Sequence, residues 1–139
     1  MLFDLEPLIQ KALTDNPQIT AYVAKIGNGY PNIGANYTPH GIFPLIEYHQ
    51  IYGSDHSFGD DSLLSRQYSF QVGIYSENAD YYLIQDELDN CMREQGWTCY
   101  NDYTYFVDES GIYHRIFSYT ITLTLEMYQE LQNKYLNGE

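Results

Sequence analysis

The stretch Gln67–Tyr75, QYSFQVGIY, decides how this chain is read. Tyr68, Phe70, Val72 and Ile74 alternate with Gln67, Ser69, Gln71 and Gly73. Side chains on a strand point to opposite faces in turn, so a period of two describes a strand with one buried and one wetted face. The same alternation returns near the end of the chain, with Phe117, Tyr119, Ile121, Leu123 and Leu125 set against Ser118, Thr120, Thr122 and Thr124. Between the two the period changes. Tyr81, Ile84, Leu88, Cys91 and Met92 recur at helical spacing, which predicts a helix over 81–92 with Asp86, Glu87, Asp89, Asn90 and Arg93 in water. Ser76 or Asn78 is positioned to cap this helix and Gly96 to end it.

Working outward, Trp97–Val107 and Tyr113–Leu125 pair as a hairpin around Asp108–Gly111. Phe43–Tyr52 and Leu63–Tyr75 form the other two strands, with Pro44 confined to a strand start, where its missing N–H is tolerated. The acidic connector Gly53–Ser62, GSDHSFGDDS, joins them as a loop or as the tip of a longer hairpin. Phe3–Leu13 is an amphipathic helix with Asp4, Glu6 and Pro7 at its start, and Asp15-Asn16-Pro17 stops it. Ile19–Ile26 reads as a short helix or a strand, with the spacing on the helical side. Gly27–Gly41 shows no periodicity and reads as a long loop. Glu126–Leu136 reads as a short helix or a frayed tail. The order is α–ββ–α–ββ in one domain over 1–139. It describes an α+β two-layer sandwich: an antiparallel sheet of two hairpins, a central helix crossing between them, and the N-terminal helix packed nearby.

Composition narrows the partners. The net charge is −13, from 19 acidic against 6 basic residues. Affinity for nucleic acid comes mainly from Lys and Arg neutralising phosphates, so tight DNA or RNA binding is not expected, nor is docking on an anionic membrane. A wall that repels DNA while letting it pass fits this charge. The start MLFDLEPLIQ carries acidic residues where a signal peptide needs basic ones, and no apolar run approaches a membrane span, so the expected location is the cytosol. Cys91 and Cys99 are read as free thiols in that compartment, with a disulfide between them as the alternative. Tyrosine is in excess, with 16 copies against 6 Phe and 1 Trp. Its apolar ring and polar tip suit half-buried strands and subunit contacts.

No catalytic constellation emerges, and neither a cofactor nor a metal is expected. His40, His49, His56 and His114 lack the spacing of a helical zinc pair, and no CxxC accompanies them. His56 beside Asp55, Asp60 and Asp61 does not follow the calcium-loop pattern. GNGYPNIG, residues 27–34, lacks the Lys-Ser/Thr ending of a phosphate loop. A Cys–His pair from Cys91 or Cys99 with His114 has nothing in the sequence to lower the thiol pKa.

Several phrases carry a resemblance. Gly41-Ile-Phe-Pro-Leu-Ile-Glu-Tyr48 enters the first strand, Gly73-Ile-Tyr-Ser76 ends the second, and Ile84-Gln-Asp-Glu-Leu-Asp89 lies in the helix before a final strand rich in Ile, Thr and Leu. Together, over roughly residues 1–126, the chain resembles the tail-completion (tail terminator) proteins of long-tailed bacteriophages, especially those of Gram-positive hosts. The resemblance implies a structural subunit that forms a homo-oligomeric ring, commonly a hexamer. Such a ring caps the major tail tube protein, ends tube growth and offers the surface on which the head-completion protein and the DNA-filled head dock. It implies no catalytic residues, and a life in the host cytoplasm followed by the virion. Two alternatives stand beside it: a head-completion or adaptor protein of the phage neck, and a cytosolic small-ligand binding domain with tyrosines lining its pocket. The loops supply the candidate interface residues, namely Tyr30, Tyr37, Asp55, His56, Phe58, Asp60 and Asp61.

Overall fold

Apolar alternation in the second and last long strands places them side by side at the centre of one sheet. A computed structural model of the chain describes residues 2–36, 41–59 and 62–137. It is mixed α+β, with four helices, a five-stranded sheet that is mostly antiparallel, and a separate two-stranded ribbon. The helices are α1 (Glu6–Thr14), α2 (Pro17–Thr20), α3 (Gln85–Glu94) and α4 (Leu125–Tyr135). β1 (Lys25–Ile26) and β2 (Tyr30–Pro31) form the ribbon. β3 (Ile33–Ala35), β4 (Leu45–Gly59), β5 (Ser62–Ser76), β6 (Thr98–Val107) and β7 (Ile112–Leu123) form the sheet, in the spatial order β3-β4-β5-β7-β6.

The core lies on the sheet face that carries Tyr68, Phe70, Val72 and Ile74 of β5 and Phe117, Tyr119, Ile121 and Leu123 of β7. Ile84, Leu88, Cys91 and Met92 from the α3 segment and Leu8, Ile9, Ala12 and Leu13 from α1 join the same cluster. Burying a side chain such as Leu88 contributes roughly 2 kcal/mol, and this shared layer is what joins helices to sheet. Three fully buried tyrosines keep their hydroxyls bonded. Tyr68 accepts from the Phe3 N–H at 2.7 Å, Tyr48 donates to Gln10 Oε1 at 2.7 Å, and Tyr119 donates to Asp89 Oδ1 at 2.7 Å. A buried phenol left without a partner would be costly, so these bonds are what permit Tyr in the core.

Several local expectations change. The segment 27–41 is not patternless, since it holds β2 and β3. β3 runs parallel to β4, with Ile33 opposite Ile46, so the sheet is not purely antiparallel; three residues are too few to show a period in sequence. Residues 19–26 divide between α2, capped where the Asn16 side chain accepts from the Gln18 N–H, and β1. Neither Ser76 nor Asn78 caps α3, because a 3₁₀ turn at Ala79–Leu83 intervenes and Ser76 Oγ donates to the Asn78 carbonyl instead. α4 is a formed helix, its start fixed by Thr124 Oγ accepting from the Met127 N–H at 3.2 Å. Phe3 stacks on Tyr128 at 4.5 Å and ties α4 to the N-terminal segment.

Candidate functional site

β4 and β5 each outrun their neighbours. β3 stops opposite Tyr48 and β7 stops opposite Arg66, so beyond those points the two strands pair only with each other among the described residues. Of the two readings of the acidic connector, the longer hairpin is the one found: residues 53–59 and Ser62 belong to the β4–β5 ladder, whose end projects as a two-stranded arm. Asp55 bonds Arg66 at 2.7 Å across the arm, and Ser57 Oγ meets Ser65 Oγ at 2.6 Å. Arg66 also lies over the Tyr68 ring at 5.4 Å, which fastens the arm's base to the core.

Irregularities in pairing put apolar side chains on the surface of β4 and β5, Ile51 where β5 still pairs with β7 and Leu64 on the arm itself. Gln50 pairs Phe70 and Tyr52 pairs Ser69, leaving Ile51 extra; His56 is extra between Asp55 and Ser57, and Leu64 is extra on β5. A bulge residue is freed from the alternation and re-aimed. Ile51 is 44% exposed and Leu64 50%, while Phe58, which pairs with Leu63 beside Leu64, reaches 62%. Water gains nothing from such groups, and Phe58 and Leu64 together on the projecting end make an adhesive surface.

The opposite edge of the sheet is aromatic as well. Among the described residues β6 pairs only with β7, and from Tyr100 to Phe106 it is exposed. Tyr100, the extra residue of a β6 bulge, donates to or accepts from Ser69 Oγ at 2.7 Å. On the face away from the helices Tyr103 stacks on Tyr105 at 5.8 Å, Tyr105 meets His114 at 4.6 Å, and His114 meets Tyr75 at 4.6 Å. Burial pushes the Tyr75 phenol up to about 12, with Glu47 and the phenols of Tyr105 and Tyr103 adding to it. On the helix face Arg115 binds Asp102 at 2.9 Å and donates to Gln85 at 2.8 Å, while Arg93 binds Asp89 at 2.9 Å. Of these, the Arg115–Gln85 bond ties α3 to the sheet, as does the Tyr119–Asp89 bond.

No protein-family model matches this chain, and no curated protein matches it.

Of the residues singled out in sequence, Asp55, His56 and Phe58 come together on the arm, and all are exposed. Tyr30 is 65% exposed but stands apart from them, on the β1–β2 ribbon. Tyr37, Asp60 and Asp61 lie outside the described residues. The β6 aromatics and the bulge residues Ile51 and Leu64 were not singled out. The signal for β6 was present in TCYNDYTYFV, whose aromatics at 100, 103, 105 and 106 follow no period of two. A strand with no apolar side has no buried face.

The remaining chemistry is quiet. Among the described residues no group of three His, Cys, Asp or Glu side chains is arranged to hold a metal ion. Cys99 pairs with Tyr119 on the helix face, whereas His114 pairs with Tyr105 on the other, so the two cannot act together. Burial pushes both thiols up, which keeps them protonated and poorly nucleophilic. A groove of about 370 Å³ opens between α4 and β7, lined by Thr120, Ile121, Leu123, Met127 and Leu131 among others, and no tyrosine lines it. Among the described residues no helix is long and apolar enough to cross a membrane.

Proposed function

We propose that this chain is a structural assembly protein of a long-tailed bacteriophage: a tail terminator that sits as a homo-oligomeric ring, six subunits in the resembling family, on the end of the tail tube. In this reading the sheet and the helices on one of its faces are the two-layer body of a ring subunit, with α3 crossing between the two hairpins. The arm carries the contacts. One observation bears most of the weight: a β4–β5 arm whose end leaves the sheet and holds Phe58 and, at a bulge, Leu64 in solvent. Rigid projecting ribbons with apolar tips suit protein neighbours rather than substrates.

The charge of −13 supports the same reading, because a conduit for DNA works best when it does not hold DNA. The ring joins the major tail tube protein below and the head-completion protein above, and moves from host cytoplasm to virion as it does so. Tyrosines spread over core, arm base and sheet edge instead of converging on a cavity, which favours this over a ligand-binding domain. The test is capping. Purified protein is mixed with purified tail tubes, and tube-end occupancy is counted by electron microscopy beside a Phe58→Ser, Leu64→Ser variant. Wild type is expected on tube ends and the variant not. Absence of the wild type from tube ends, with binding to portal complexes instead, transfers the assignment to a neck adaptor.

A further inference from the structure

The outer edge of β6 is unguarded. Sheet edges are normally protected by Pro, by Lys, by bulges or by a covering element, because their free N–H and C=O groups template further strands. Thr98–Val107 holds no Pro and no Lys or Arg. Its bulge lies at Tyr100, and from Asn101 to Val107 it pairs regularly with β7. Its one charge, Asp102, is neutralised by Arg115 at 2.9 Å. No described element pairs with the far side.

Two side chains along this edge, Tyr103 and Tyr105, are self-complementary. Asn101-Asp-Tyr-Thr-Tyr-Phe-Val107 sets Tyr103 and Tyr105 symmetrically about Thr104, while Phe106 has Asp102 as its counterpart. Two copies set antiparallel with Thr104 opposite Thr104 would place Tyr103 of each opposite Tyr105 of the other. Directly opposed aromatic pairs are among the stabilising cross-strand pairs. Tyr103 and Tyr105 share a face and already stack at 5.8 Å within one chain. Tyr103 is 43% exposed and Tyr105 44%, so both have surface left to bury. A two-fold contact of this kind uses the same patch on both partners.

The geometry points to a second copy of this chain as the occupant of the β6 edge, giving a two-fold dimer of the free protein in which two sheets join antiparallel, centred on Thr104. This inference does not rest on the ring reading, since it concerns the protein before any tube or portal is present.

The test uses the full chain. Sedimentation is expected to give a dimer of the 16.2 kDa subunit, and Thr104→Lys to raise the dimer dissociation constant at least about tenfold by opposing two like charges. Circular dichroism of the variant is expected to match the wild type, since Thr104 is exposed. In a Cys91→Ser, Cys99→Ser background, Thr104→Cys is expected to be joined to its counterpart by a short bis-maleimide, and Tyr22→Cys on the opposite side of the molecule is not. In the unaltered protein Cys99 should not cross-link, because in this register the two copies of it lie roughly 33 Å apart. A monomer at about 100 μM overturns the inference. So does an oligomer that Thr104→Lys leaves intact or that Thr104→Cys fails to cross-link.

Discussion

Replacing Tyr119 by Phe isolates one buried phenol and its proton. Tyr119 is fully buried and donates to Asp89 Oδ1 at 2.7 Å. Near neutral pH the substitution removes this hydrogen bond to a carboxylate. Such bonds are worth about 1.5–3 kcal/mol, and the low end applies because Asp89 keeps Arg93 at 2.9 Å and remains partly in water. A loss of about 1.5 kcal/mol is therefore expected. At high pH the sign of a second effect matters. Burial, with the Asp89 hydrogen bond and charge adding to it, raises the Tyr119 phenol well above its ordinary value, whereas in the unfolded chain it ionises near 10. Above that pH the unfolded state binds fewer protons than the folded one, so stability falls as pH rises. For one such tyrosine the fall is about 0.1 kcal/mol by pH 9 and about 1.4 kcal/mol by pH 11. Phe has no proton to release. The deficit of Tyr119→Phe should thus shrink from about 1.5 kcal/mol at neutral pH to near zero at about pH 11. Urea unfolding followed by circular dichroism at several pH values measures it directly. Two curves that run parallel from neutral pH to pH 11 refute the reasoning, because they mean that Tyr119 ionises alike in both states.

Other consequences are briefer. Leu88→Ala empties a fully buried site between α3 and the sheet, and chemical denaturation should show a loss of about 3–4 kcal/mol. Gly73→Ala adds a Cβ at 2.9 Å from the Tyr75 ring and 3.0 Å from Ile116 Cδ1; it should cost about 1–3 kcal/mol, and Ile116→Val should recover part of that. Cys91 should react with an aromatic disulfide reagent only as fast as the protein opens, with the less buried Cys99 ahead of it; equal rates for both in the native protein would contradict the burial. Retention on duplex DNA should be negligible at physiological salt, and nanomolar binding would undo the conduit reading.

How much could be read in advance depended on how each segment is buried. β5 and β7 are covered on one face, so water and core impose opposite residue types on alternate positions, and Gln67–Tyr75 announces itself. The 81–92 stripe was legible for the same reason at a different period, and Tyr81, Ile84, Leu88, Cys91 and Met92 are all buried. β6 has no covered face to impose a pattern, and β3 is too short to hold one. Bulges were invisible for another reason. Ile51, His56 and Leu64 are extra only with respect to a partner strand, and a single strand does not reveal its register. Asp55, His56 and Phe58 were found as members of an acidic connector; that they share one stiff ribbon follows from the β4–β5 ladder.

The bulges on that ribbon separate its direction from its chemistry. Deleting Ile51 or His56 removes a residue that has no opposite number, so every other cross-strand pair in the arm survives while its bend relaxes. Deleting any paired residue of β4 shifts all that follow by one and turns the outward side inward. Length variation at residues 51 and 56 is thus a way of steering the tip without rewriting it, and a chain evolving against a changing neighbour could adjust its aim there one codon at a time.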